Sequence, residues 1–174
     1  VVKDSVNPLF MSCEAFNRFL ATRGHTPKEY AWRSAEFARL KAGMNANLQS
    51  GVPFREILSL ARLNEIVRRA SCPMAGLYFA ELGYVALDRE GCLDILNGYI
   101  DYLTHEPNFS LLIVDDLDEL HGNNCWHIKR DGHISIHNWQ GKSPVMLYSD
   151  QLMLLRELQT RYDALWTQGA RGIG

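Results

Sequence analysis

Cys125, His127, Lys129, His133 and His137 crowd into one short stretch, and their types are those that carry metal, anion and proton chemistry. What they can do depends on which of them share a face. Asn124 to Trp139 reads as a β-hairpin turning at Arg130-Asp131-Gly132, and two registers are open to it. A two-residue Asp131-Gly132 loop mixes Trp126 and Ile128 with His133 and His137. A three-residue loop, with Gly132 in the left-handed conformation, pairs Lys129 with His133, His127 with Ser135 and Cys125 with His137. This second register sorts the faces. Trp126, Ile128, Ile134 and Ile136 fall on one side, and Cys125, His127, Lys129, His133, Ser135 and His137 on the other. A slip of one residue would undo that separation, so the three-residue loop is the expected one.

The polar face permits three chemistries. Cross-strand partners have Cβ atoms about 5 Å apart, so Cys125 and His137 can share a Zn²⁺ ion with His127 beside them. The same pair is the minimum for a thiol nucleophile, but no helix N-terminus is at hand to lower the thiol pKa. Third, His127, Lys129, His133 and His137 place four groups able to carry positive charge on one face and suit an anionic ligand. These four are the expected ligand-binding residues. No catalytic residue, metal or cofactor is expected. A metal-binding or thiol enzyme working from the Cys125/His137 face is the alternative. The GxSxG, P-loop, GxGxxG and HExxH patterns are absent from the sequence. The acidic run Asp115-Asp116-Asp118-Glu119 reads as a solvated loop rather than a hard-cation site.

The hairpin needs elements around it. Ser110 to Val114 reads as a buried strand and Pro144 to Tyr148 as a further one. Ser149 then caps a long helix whose stripe is Leu155, Leu158, Tyr162 and Leu165, with Trp166 at its end and Gly169 stopping it. That stripe is expected to pack on Trp126, Ile128, Ile134 and Ile136. Upstream the period is helical. Ser12 caps a helix from Cys13 to about Arg23 carrying Phe16, Phe19 and Leu20. Thr26-Pro27-Lys28-Glu29 is a capping-box start for a helix to about Leu48, with Tyr30, Phe37, Leu40, Met44 and Leu48 on one side. After Ser50-Gly51-Val52-Pro53 a third helix is expected over about Pro53–Ala70. Met74 to Leu87 leans helical. Asp88 caps a further helix to about Thr104, with Leu93, Leu96, Ile100 and Leu103 as its inner face. Gly91 and Gly98 within it cost about 1 kcal/mol each relative to Ala. The expected fold is α+β: a helical N-terminal half (1–71), then a small, mainly antiparallel sheet covered by a C-terminal helix (72–174).

Composition supports a packed, soluble chain. Apolar residues make up 47% and charged residues 22% of 174, enough for a sizeable core. No apolar run reaches the ~18 residues of a membrane span, and no leader pattern precedes the first helix, so a cytoplasmic setting without membrane contact is expected. Cys13, Cys72, Cys92 and Cys125 form no CxxC pair and read as reduced thiols. Charge is split. Residues 1–71 hold eleven Lys and Arg against six Asp and Glu, and residues 72–174 hold seven against fourteen. The basic half suits a salt-sensitive, sequence-indifferent contact with DNA at most. The Gly51–Arg69 stretch is no helix-turn-helix, because Ala61-Arg62 stand where a turn glycine belongs.

One likeness adds to this. N-F-S-L-L-I-V-D-D, N-N-C-W-H-I-K-R-D-G, I-H-N-W, S-P-V-M-L-Y-S and a helix ending Y-D-A-L-W follow one another, with F-R-E-I-L-S upstream. From about Pro53 to Thr167 the pattern resembles the C-terminal, non-DNA-binding region of bacterial Cro/repressor-type (XRE-class) transcription regulators. The resemblance implies a ligand-sensing or dimerisation module, a homodimer, a small-molecule effector, and DNA contact only through a helix-turn-helix outside these residues. It supplies no catalytic residues.

Overall fold

The computed structural model describes residues 2–3, 7–69, 72–74, 85–115, 124–129, 132–138 and 145–171. The fold is α+β with a C-terminal helix, as expected. The chain forms two compact units, one of Val1–Ser5, Arg55–Glu65 and Leu111–Gly174, the other of Val6–Phe54 and Ile66–Ser110. These interleave along the chain, where the composition suggests a single cut after residue 71.

The first unit is built on a six-stranded sheet in the order β5-β2-β1-β6-β7-β8. Its strands are β1 (Val2–Lys3), β2 (Phe54–Ser59), β5 (Phe109–Val114), β6 (Asn124–Ile128), β7 (Ile134–Asn138) and β8 (Val145–Ser149). β1, β6, β7 and β8 pair antiparallel in succession, and β1 runs parallel to β2. β2 and β5 also run in the same direction: the Phe54 N–H donates to the Asn108 carbonyl at 2.8 Å, and the Ala61 N–H to that of Asp115 at 3.3 Å. Two strands of the sheet thus come from the half of the chain expected to be helical.

The helix expected over Pro53–Ala70 is therefore half strand. β2 runs straight into α3 (Leu60–Arg69). Glu56, Ile57, Leu58 and Ser59 are all buried, which is how an interior strand covered on both faces behaves. Such a strand shows no alternation, and Phe54, Ile57, Leu58 and Ala61 mimic helical spacing.

The final helix, α5 (Leu152–Arg171), lies on the apolar side of this sheet. Tyr162 and Leu165 are buried with Ile57 and Leu112, and Leu158, Trp166, Ile128, Ile136 and Val114 pack around them. Leu158, Tyr162, Leu165 and Trp166 of the expected stripe and the Ile128/Ile136 partners meet here; Leu155 is half-buried and Ile134 buried outside this cluster, and the Trp126 side chain lies outside the described residues. Gly169 does not stop the helix, which continues to Arg171. A Cβ there would meet both Leu112 Cδ atoms at 2.7 Å, so the glycine serves close approach. Leu165→Ala is expected to cost about 2–5 kcal/mol, and the half-buried Leu158→Ala less. Exposed Gln159→Ala should stay within about 0.5 kcal/mol. Urea unfolding of the three variants checks the order.

The second unit holds α1 (Cys13–Ala21), α2 (Pro27–Gln49) and α4 (Arg89–His105) around the 3-10 turn Pro8–Phe10, with a short antiparallel pair β3 (Cys72–Met74) and β4 (Val85–Leu87). Its helix starts follow the cap chemistry. Ser12 Oγ accepts from Ala15 N–H, Thr26 and Glu29 form a reciprocal capping box, and Asp88 accepts from Gly91 N–H. The expected helix over Met74–Leu87 has strand at both ends; 75–84 lie outside the described residues.

The inner face of α4 is also not the expected one. Cys92, Ile95, Tyr99 and Tyr102 are buried, whereas Leu93 (49%), Ile100 (62%) and Leu103 (48%) are exposed and Leu96 is half-buried. The tyrosines decide this. Tyr99 stacks on Phe10 at 4.1 Å and accepts the Asn7 N–H at 2.8 Å, and Tyr102 donates to Asn45. Gly98 lies on the same side, against the backbone of Phe10.

Candidate functional site

The site begins with a register set by local chemistry. Gly132 takes φ 84°, its N–H donates to the Lys129 carbonyl at 3.1 Å, and the Lys129 N–H donates to His133 at 2.9 Å. This is the three-residue loop, and β6 and β7 pair as expected: Cys125 with His137, Trp126 with Ile136, His127 with Ser135, Ile128 with Ile134. Arg130 and Asp131 lie outside the described residues.

The polar face therefore exists in the predicted order, and β8 extends it. Ser135 pairs with Tyr148 and His137 with Met146, so His127, Ser135 and Tyr148 form one cross-strand row, and Cys125, His137 and Met146 the next. Ser135 is buried at 3%, His127 is half-buried, and Lys129 and His133 are exposed beside the turn. The side chains of Cys125 and His137 lie outside the described residues. Among the described residues no cluster of three His, Cys, Asp or Glu is placed to hold a metal. Of the acidic run, Asp115 gives its carbonyl to Ala61, and 116–119 lie outside the described residues.

Of the four predicted ligand residues, Lys129 also lines a cleft. An open space of about 490 Å³ lies between the hairpin turn and α5, lined by Ile128, Lys129, Gly132, Leu155, Arg156, Gln159 and Thr160. α5 supplies its polar wall because Arg156, Gln159 and Thr160 recur on the face away from Tyr162 and Leu165. The Thr160 hydroxyl donates to the Arg156 carbonyl at 2.8 Å, and Gln159 Nε2 donates to Asp163 at 3.0 Å. Neither Lys129 nor Arg156 forms an ion pair with a described residue, so two cations share one cleft with an amide and a hydroxyl. The i, i+4 spacing of Arg156 and Thr160 marks a polar helix face in the sequence. Its meeting with Lys129 depends on how the helix is laid on the sheet.

Other ionisable groups serve the fold. Lys41 donates to the carbonyls of Leu9 (3.0 Å) and Met11 (2.8 Å), and burial lowers its pKa from the ordinary lysine value. In the first unit, burial pushes the Tyr162 phenol well above its ordinary range. Cys13 is exposed and Cys92 buried. Among the described residues no helix is long and apolar enough to cross a membrane.

Comparison with known proteins returns no match to any family model, curated protein or solved structure.

Proposed function

We propose that this chain is an effector-responsive regulatory module of a bacterial transcription regulator of the Cro/repressor class, its DNA read by a helix-turn-helix outside these residues. The short motifs from Phe54 to Trp166 carry the class. The cleft between the hairpin turn and α5 carries the effector. Its volume of about 490 Å³ falls in the range of small-molecule sites, ~300–1,000 Å³. Lys129 and Arg156 give it two cations, the second N–H of the Gln159 amide gives it a neutral donor, and Ile128 and Leu155 give it an apolar side. That set suits a small carboxylate or phosphate, since charge-assisted bonds to such groups are the stronger kind. α5 is also the element that completes the sheet's core, so an anion held by Arg156 acts on the helix that the unit depends on. The reading includes a cytoplasmic setting and, because such regulators act in pairs, self-association.

A thermal-shift panel of small carboxylates and phosphates tests it, followed by titration calorimetry of any hit. At least one anion should stabilise the chain, and Lys129→Ala and Arg156→Ala should each weaken it about tenfold or more, the worth of one charged hydrogen bond. A panel without a hit removes the effector reading. A response that instead needs a metal and is lost in Cys125→Ser moves the function to the metal or thiol class.

A further inference from the structure

The exposed side of α4 has the spacing of a helix-pairing seam. Leu93, Leu96, Ile100 and Leu103 follow one another at intervals of three, four and three, the a–d–a–d pattern of a coiled coil. Three of the four are 48–62% exposed, although the opposite side of the same helix is packed with Cys92, Ile95, Tyr99 and Tyr102. A helix apolar on both sides within one small unit has an inner face for its own core and an outer face for something else.

We propose that this outer face pairs with the same helix of a second copy, antiparallel about a two-fold axis. An isologous contact must be self-complementary, and this one is. Reversing the partner sets Leu93 against the partner's Leu103 and Leu96 against the partner's Ile100, so every apolar position meets another. Arg89 comes level with the partner's Pro107 and one residue from the partner's Glu106, close enough for an ion pair, and the two-fold repeats that contact at the other end. Along the flank Asn97 faces its own symmetry mate and Glu90 faces Thr104, so no like charges are opposed. The nearby acids are already engaged within the chain: Asp94 accepts from Ser12 N–H (2.6 Å) and Oγ (2.9 Å), and Asp101 pairs with His105 at 3.0 Å. Antiparallel helix dipoles add a favourable term.

The seam's size sets its strength. From Leu93 to Leu103 the helix rises ~15 Å, which buries less than the ~1,200 Å² of a standard stable interface. The dimer is therefore a reversible one that forms and separates with concentration, a suitable property for a module whose pairing is regulated. The inference rests on the self-association contained in the regulatory reading and is independent of the effector cleft, which belongs to the other unit.

Sedimentation equilibrium of the full chain, in a Cys13→Ser background that removes the exposed thiol, tests it. The parent should move from monomer to dimer as concentration rises. Ile100→Glu and Leu96→Asp should hold it monomeric with unchanged circular dichroism, Ile100 being largely outside the core. Leu152→Glu, equally exposed but in the other unit, should leave the equilibrium as it was. A short bismaleimide should join two copies through Asn97→Cys and not through Thr104→Cys, since only an antiparallel seam treats these positions differently. Dimerisation abolished by Leu152→Glu and untouched by Ile100→Glu would overturn the seam and keep the regulatory pair. A chain monomeric at every concentration would overturn both. Equal linking at positions 97 and 104 would overturn the antiparallel arrangement.

Discussion

Phe10→Ala is expected to cost about 3–5 kcal/mol, a fifth or more of a typical domain's ~5–15 kcal/mol. The ring is 1% exposed. It stacks on Tyr99 at 4.1 Å, meets Tyr102 edge-on at 5.0 Å and Phe109 at 5.0 Å, and reaches Phe54 at 6.4 Å. A three-residue 3-10 turn delivers it, and that turn is pinned from both ends. Asn7 Oδ1 accepts the Leu9 N–H at 3.1 Å, and Lys41 bonds the carbonyls of Leu9 and Met11. The four aromatic rings cannot close on the void because they are fixed in three elements, Tyr99 and Tyr102 on α4, Phe54 on β2 and Phe109 on β5, so the cavity penalty is retained. Phe10→Leu fills most of the space and should cost under ~1.5 kcal/mol. Thermal melts followed by near-ultraviolet circular dichroism check this: a drop of roughly 10 °C or more for Ala, and a small one for Leu. An Ala variant losing less than about 1 kcal/mol would show that the aromatic cluster is not the core of this unit.

What the sequence disclosed and what it hid divide along the range of the forces involved. Cap chemistry is local, so Ser12, Thr26 with Glu29, and Asp88 are readable one residue at a time, and the helix starts stand where those residues put them. The hairpin register is readable because one wrong step would mix every apolar residue with a polar one. β2 is hidden because its hydrogen-bond partners come from the first strand and from Phe109–Val114, far along the chain in both directions. Nothing within Phe54–Ser59 distinguishes a strand covered on both faces from a buried helical turn. α4 fails for a different reason. It carries two apolar stripes one residue apart, and periodicity cannot rank them. The tyrosine hydroxyls can, because each needs a partner and finds one on the core side, in Asn7 and Asn45. The candidate site shows the same division. The His and Lys face follows from the hairpin alone, whereas Arg156 joins Lys129 only when α5 lies across the turn.

Two glycine substitutions in helices should move stability in opposite directions, and the contrast isolates the contact between α4 and the Pro8–Phe10 turn. Helix-interior glycine is ordinarily a weakness worth about 0.5–1 kcal/mol against Ala. Gly43, on the exposed side of α2, has nothing within 4 Å of where a Cβ would stand, so Gly43→Ala should raise stability by about that amount. Gly98 has the same helical backbone and the same propensity to gain. Its Cβ, however, would stand 2.0 Å from the Phe10 carbonyl oxygen and 2.9 Å from the carbonyl carbon. Those are backbone atoms of a turn held by Asn7 and Lys41, so no side-chain rotation relieves the overlap. The turn must withdraw, and it takes the Phe10 ring out of its stack on Tyr99. Gly98→Ala should therefore lose stability on the scale of overpacking, about 1–3 kcal/mol or more, despite its better helix propensity. Urea unfolding of the two single variants measures the sign of each. Two stabilised variants would mean that the 3-10 turn does not sit against α4. A destabilised Gly43→Ala would mean that the outer side of α2 is covered by a part of the protein that its exposure does not reveal.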